Sequence, residues 1–226
     1  MTPDSDSRPA LWLASGSPRR RELLEQAGFL IAGRARPSGE VDESLLPGER
    51  PDWAVLRLAQ AKLEAALAAS SLPAGAVLLA ADTLVAGPDG RPMGKPVDAA
   101  DAEAMLATLS GQWHRVITAV AVGTGQVQRE AVVESRLRFA RLSPETIRAY
   151  VATGEPLDKA GGYGLQGRAG GFVEAIDGDC SAVIGLPLSA TCRLLAMFGI
   201  RPAWMGRGDM ERGDMDRGDM DPSDTE

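Results

Sequence analysis

The chain is poor in the residues that build common metal and redox centres. Its 226 residues include one histidine, His114, and two cysteines, Cys180 and Cys192. A single imidazole excludes a His-rich metal site. The two cysteines are expected to be reduced structural thiols rather than a disulfide. No apolar run approaches the roughly 20 residues of a membrane span. The opening MTPDSDSRPA is polar and acidic, where an export signal would be apolar. A soluble cytoplasmic protein is expected. The GxxxxGK[ST] spacing of a Walker A loop is also missing. So is a basic body. The net charge is −7, and residues 207–226, with three Arg and eight Asp or Glu, carry −5 of it. The nearly neutral remainder shows no electrostatic footprint for nucleic acid.

What is present is an ordinary globular composition, 44% hydrophobic and 24% charged. Residues 1–10 read as a disordered leader, 11–202 as the folded domain and 203–226 as a disordered acidic tail. The tail holds RGDM three times at a five-residue period. That is too short for a solenoid repeat, and the segment is too polar to bury surface. A solvated tail is a better reading than an adhesion motif.

Within the domain, Leu11–Ala14 reads as a first strand, followed by a helix with Ser17 at the N-cap, Pro18 at its first position and Gly28 at its stop. Residues 34–50 read as a loop. Residues 51–70 form an amphipathic helix with Val55, Leu58, Leu63, Ala66 and Leu67 on one face. The run 76–81 reads as a buried strand ending at Asp82, with a separate short strand at 84–86 and a turn at 87–90. A helix at 98–109, paired strands at 113–122 and 127–142, a helix from Ser143 to Thr153, a glycine-dense loop at 161–171, a strand near 172–176 and a helix at 188–198 complete the pattern.

Four segments can carry chemistry. In SGSPRRREL (15–23) a small-residue turn meets a helix N-terminus, and Arg19, Arg20 and Arg21 crowd the positive end of the helix dipole. Such crowding is unfavourable unless an anion sits among them, so the segment suggests phosphate binding; a solvated basic turn is the alternative. Glu40-Val41-Asp42-Glu43 is either a solvated loop or one arm of an oxygen-ligand site for Mg²⁺ or Mn²⁺. Asp82, at the end of a buried run, needs a cation. Lys95 supplies one, either as a structural ion pair or as part of a metal-assisted site in which Asp82 handles water and Lys95 offsets phosphate charge. Lys62 alone reads as a snorkelling surface lysine. Finally, four glycines at 161–167 permit close backbone approach, and Gln166 offers both a donor and acceptors to a base edge.

Taken together, SGSPRRRELL, ADTLV, GKP, LSGQWHRVITAVAV, GEPLDKAGGYGLQG and VIGLPL resemble the Maf family of nucleoside triphosphate pyrophosphatases, once described as septum-formation inhibitors. The similarity spans about residues 11–199. It implies a Maf/ITPase-like α/β fold: a mixed twisted sheet with flanking helices, in two lobes around a central cleft. SPRR, ADT and LQG place the chain nearer the dTTP/UTP type than the 7-methyl-GTP type. The resemblance implies Asp82 as proton acceptor, with Lys62 and Lys95 beside it. It assigns Arg19, Thr83 and Gln166 to substrate choice and Ser15, Arg20, Glu43, Asp158 and Lys159 to the cleft. A divalent ion would be held by Asp82 and Glu43, with Asp42 the other candidate. It further implies a homodimer acting on a nucleoside triphosphate, away from membranes and nucleic acids. The alternative is a division regulator that acts by binding protein or nucleic acid.

Overall fold

The computed structural model describes residues 9–35, 41–69 and 72–205. Its elements are β1 (Ala10–Leu13), α1 (Pro18–Gln26), β2 (Ile31–Arg34), α2 (Pro51–Ala69), β3 (Ala76–Ala86), β4 (Pro92–Met93), α3 (Ala99–Leu109), β5 (Trp113–Gly123), β6 (Gln128–Phe139), α4 (Pro144–Val151), β7 (Val173–Asp177), α5 (Cys180–Ile184) and α6 (Leu188–Met197). Three short 3₁₀ turns occupy parts of 155–172. The strands form one mixed sheet, β2-β1-β3-β5-β6-β7, with β4 also on β3. The expected α/β fold is thus present. Both thiols are free. No helix among the described residues is long and apolar enough to cross a membrane.

β3 organises the sheet. The strand does not stop at Asp82, as the sequence suggested, but continues unbroken to Ala86. A polar residue in a strand interrupts the apolar pattern without interrupting the backbone ladder, and residues 78–86 all pair with β5, Asp82 opposite Ala119. The other edge is shared. β1 pairs with residues 76–79, and β4 with Val85 and Ala86. Between them that edge of β3 has no strand partner among the described residues, and a cleft opens there.

Period-two alternation then sorts the side chains. Leu78, Ala80, Leu84 and Ala86 pack with Ile117, Ala119 and Ala121 under α2, whose Val55, Ala59, Leu63 and Ala66 are fully buried. Each large aliphatic group so buried contributes about 2 kcal/mol. On the opposite face are two separate clusters. Val77, Leu79 and Ala81 join α1 and α6, whereas Val85 joins Val116, Leu137 and Phe139 against α3 and α4. These are the two lobes. Thr83 on β3 and Thr118 on β5 fall between them.

Several elements escaped the sequence reading. β2 is only four residues and contains Gly33, where a Cβ would lie 2.6 Å from the Trp12 ring. β4 is two residues long, and α5 has five residues capped by Asp179, which accepts from the amides of Ser181 and Ala182. The first strand starts at Ala10 rather than Leu11, inside the expected leader. At the other end, Ala203 N donates to Gly28 O (2.7 Å) and Trp204 Nε1 to Ala27 O (3.0 Å), so the packed body runs two residues past the expected boundary. The rest of the leader and the RGDM tail lie outside the described residues.

His114 joins β5 to the glycine-rich segment. It is buried, its Nε2 is 2.7 Å from the Tyr163 hydroxyl, and its ring meets Phe139 edge-on. Burial pushes the imidazole down from 6.5 to about 4. Because the unfolded chain then binds the extra proton, this contribution to stability is complete above about pH 6.5 and is lost as pH falls toward 4, about 3 kcal/mol in all. In urea titrations at pH 7 and pH 4.5, His114→Gln is expected to lose less stability than the parent over that interval. Equal losses would refute the assignment.

Candidate active site

The cleft encloses about 990 Å³. Its floor is β3 and its walls come from the β1–α1 turn, α2, the Gly94-Lys95 turn and the 158–166 segment. Gly161 N donates to Gly94 O (2.9 Å), closing the rim. Gly161 has φ +68°, and a Cβ there would lie 2.9 Å from Val85 Cγ1, so the chain can pass this close to β3 only without a side chain.

Asp82 points toward α2, not toward Lys95. Its Oδ1 lies 2.5 Å from Lys62 Nζ, and the same ammonium is 2.7 Å from Glu43 Oε1. Among the described residues the carboxylate that Lys95 Nζ approaches is that of Glu43, at 3.9 Å. The expected Asp82–Lys95 pair is therefore corrected to Asp82–Lys62–Glu43, with Lys95 as an outer, exposed cation. Lys62 is no snorkelling lysine: its side chain is only 17% exposed. The signal was its place in the helix. Residue 62 follows Val55, Leu58 and Ala59 on the buried stripe of α2. A lysine there needs an anion beneath it, and Asp82 is the anion.

Glu43 feels opposing influences. Burial alone would raise its carboxyl, but Lys62, with Lys95 and Arg20 farther off, more than offsets this and holds it below its ordinary value. Asp42, the alternative, is exposed and spends Oδ1 on the amide of Ser44 (2.9 Å). Glu40 lies outside the described residues. Among those described, no group of three or more His, Cys, Asp and Glu could cage a metal. Two carboxylates completed by phosphate oxygens and waters are, however, a set that suits Mg²⁺ or Mn²⁺. The ammonium between them marks a spot where positive charge is stabilised.

The basic wall is built differently. Arg20 Nε donates to Gly185 O (2.8 Å), Nη1 to Ser15 Oγ (3.2 Å) and Nη2 to Thr83 Oγ1 (3.2 Å). Burial pushes its pKa below the ordinary value, with Asp82 acting against that. The crowded cations at the start of α1 thus do not all face water: Arg20 is turned inward and Arg19 lines the cleft, whereas Arg21 pairs with Glu25 outside. Ser17 does begin α1, but its hydroxyl caps nothing; its amide donates instead to Ser15 Oγ (3.2 Å). Lys159 Nζ donates to Glu155 O (2.8 Å) and pairs with Asp158 (2.5 Å), facing the cavity beside exposed Gln166. Ser15, Arg19, Arg20, Glu43, Lys62, Asp82, Thr83, Lys95, Asp158, Lys159 and Gln166 all line this one cavity, whereas Asp42 and Arg21 do not.

Three contributors went unread in the sequence. Arg34 Nη2 donates to Ser15 O (3.0 Å) and shapes the anion turn. Thr118 and the Ala182 carbonyl lie behind Thr83. Arg34 ends a strand too short to detect, and Thr118 is a single hydroxyl in an otherwise apolar strand, a signal that gained meaning only beside Thr83.

Known proteins share this sequence over most of its length. The profile of the family described as Maf-like protein matches residues 10–198. A protein of Burkholderia pseudomallei named dTTP/UTP pyrophosphatase is 50% identical over 197 residues, covering 84% of this chain and 93% of its own. The protein of that name from Aromatoleum aromaticum is 50% identical over 198 residues (84% and 95%). The one from Cupriavidus metallidurans is 48% identical over 196 (84% and 97%).

Removing the central cation while keeping its bulk should expose the coupling. In Lys62→Met, a carbon-detected NMR titration is expected to show the Glu43 carboxyl titrating at higher pH than in the parent, because burial then acts with its main opponent gone. An unmoved titration would show that Lys62 does not hold it down.

Proposed function

Given that the chain belongs to the Maf-like family, we propose that it hydrolyses dTTP and UTP to the monophosphate and pyrophosphate. The observation that carries this reading is the carboxylate–ammonium–carboxylate array of Asp82, Lys62 and Glu43, placed across one cleft from Arg19 and Arg20. A triphosphate is the kind of anion that such a cleft suits. The names of the relatives favour this reading over a division regulator.

In this reading water attacks the α-phosphorus, the bond to the bridging oxygen breaks, and pyrophosphate departs. Asp82 orients a water and accepts its proton, while Lys62 holds that carboxylate in place. Arg19, Arg20 and Lys95 stabilise the charge that gathers on the phosphates and the departing pyrophosphate. Asp82 and Glu43 would hold a divalent ion, Mg²⁺ or Mn²⁺, whose charge would offset that of the triphosphate. Ser15, Thr83, Lys159 and Gln166 position the nucleotide. Modified pyrimidine triphosphates fit the same reading. Family resemblance supports a cytoplasmic homodimer, and the nearly neutral body supports a role away from nucleic acid.

Pyrophosphate release should be followed with Mg²⁺ or Mn²⁺ on dTTP, UTP, GTP and 7-methyl-GTP. Turnover is expected on dTTP and UTP, and Asp82→Asn should lower it by about 10²-fold or more while the protein still melts cooperatively. A near-normal rate in that variant would remove Asp82 from the chemistry, and a preference for 7-methyl-GTP would reassign the substrate. Separately, Gln166→Ala is expected to shift the preference between pyrimidine and 7-methylguanine nucleotides more than it slows the better substrate; an unchanged preference would rule out base reading by Gln166.

A further inference from the structure

The wall of the cleft at 158–166 is irregular chain, and one carboxylate gathers it. Among the described residues, the backbone bonds of 163–168 run only to near neighbours in the chain, from Gly167 N to Gly164 O (3.0 Å) and from Gly170 N to Gly167 O (3.1 Å). Turns of this kind bend a chain without fixing where it lies. Glu155 supplies the fixing. Its Oε1 accepts from the Tyr150 hydroxyl of α4 (3.1 Å) and from Arg168 N (3.0 Å). Its Oε2 accepts from Arg168 Nη1 (3.2 Å). Its backbone carbonyl accepts from Lys159 Nζ (2.8 Å). The chain from 155 to 168 is thereby closed on itself and tied to α4.

The weight falls on the amide and the phenol. The Arg168 side chain is 70% exposed, and an ion pair that reaches into water adds little. The Glu155 side chain is only 14% exposed, and Tyr150 is buried. Without the carboxylate, the Tyr150 hydroxyl loses its acceptor, and an unmade bond of that kind costs more than a made one gains. Gly167 shows how closely the carboxylate is held. A Cβ there would overlap Glu155 Oε1, although the φ of −98° is open to any residue. Glycine at 167 thus leaves room for Glu155 rather than permitting a left-handed turn. Inside the closed loop, Lys159 and Gln166 line the cavity, whereas Glu155 does not.

We propose that Glu155 is a positioning residue: without touching the nucleotide, its accepting oxygens clasp the Arg168 amide to α4 and hold Lys159 and Gln166 at the cavity wall. This rests on the reading of the cleft as a nucleotide site given above. The clasp supplies what the loop lacks, since groups that bind a ligand from irregular chain hold their geometry only when other residues lock them. Gln166 lies two residues before the clasped amide. Lys159 depends on it too, because its ammonium is spent on the Glu155 carbonyl and on Asp158 within the same loop.

The test measures kcat and KM for UTP with Mg²⁺ in the full chain and in its Glu155→Ala, Glu155→Gln and Gly167→Ala variants. Glu155→Ala should raise KM by about tenfold or more, the scale of a lost buried acceptor. kcat should stay within about threefold, because the reacting groups lie on β3 and α2. Glu155→Gln keeps an oxygen able to accept from Tyr150 and Arg168 N, so KM should return to within about threefold of the parent. In a protein that already lacks both positioned groups, Lys159→Met with Gln166→Ala, the Glu155→Ala change should raise KM by less than about threefold. A merely structural role would lower the active fraction alike in both backgrounds. Equal rises in KM in the two backgrounds overturn the proposal, as does an unchanged KM in Glu155→Ala or a glutamine variant that behaves like the alanine one. Should Glu155→Ala not fold, Gly167→Ala, which drives the carboxylate aside, carries the test, with the same rise expected and the same constancy fatal. Amide exchange at Arg168, followed by NMR without nucleotide, should quicken by about tenfold or more in Glu155→Ala; an unchanged rate overturns the clasp. Failure of the parent to hydrolyse UTP would refute the underlying function, and that result is distinct, because the exchange rate is read without turnover.

Discussion

The ammonium of Lys62, lying between Asp82 and Glu43, holds the cleft together. Neither carboxylate is placed there cheaply. Asp82 is 8% exposed on a strand whose neighbours are aliphatic, and an unpaired charge in that setting would cost several kcal/mol. Lys62 meets the same difficulty from the helix side, since it sits on the buried stripe of α2. The two are tolerable only together, and this mutual need sets the register of α2 over β3. Glu43, from the loop before α2, joins the same cation and ties that loop to the sheet. What results is a compact, negatively charged floor with its cation in the middle, facing a wall of arginines.

Strand geometry explains why this floor and the arginine wall do not cancel one another. Asp82 and Thr83 are neighbours in sequence and so point to opposite faces of β3. The carboxylate turns toward α2 and Lys62. The hydroxyl turns toward the seam between the two apolar clusters, where Arg20, Thr118 and α5 meet. Because, among the described residues, the edge of β3 is without a strand partner between β1 and β4, one cavity reaches both. Two consecutive residues thereby line one cavity from opposite faces of the strand.

Much of this was legible in the chain itself. The helices over 51–69 and 99–109 and the hairpin of β5 and β6 have strong periodicity and clear stops, and they appear where the pattern put them. Asp82 was conspicuous because a carboxylate in an aliphatic run needs explaining. Its partner was misjudged for a physical reason. Lys95 is nearer in sequence and follows a turn, but it is exposed, whereas Lys62 is twenty residues upstream on another element and only the fold brings it near. The split of β3 into two strands erred likewise, because one polar side chain breaks hydropathy without breaking backbone pairing. β2, β4 and α5 are too short to leave a period.

In the proposed reaction the Asp82–Lys62–Glu43 floor delivers water to the α-phosphorus. The most direct measurement is hydrolysis of UTP in ¹⁸O-labelled water, followed by ³¹P NMR of the products. One labelled oxygen is expected in UMP and none in pyrophosphate. Label in pyrophosphate would move the attack to the β-phosphorus, and release of orthophosphate with UDP would move it to the γ-phosphorus. Either result would contradict the proposed roles of the floor and the arginine wall.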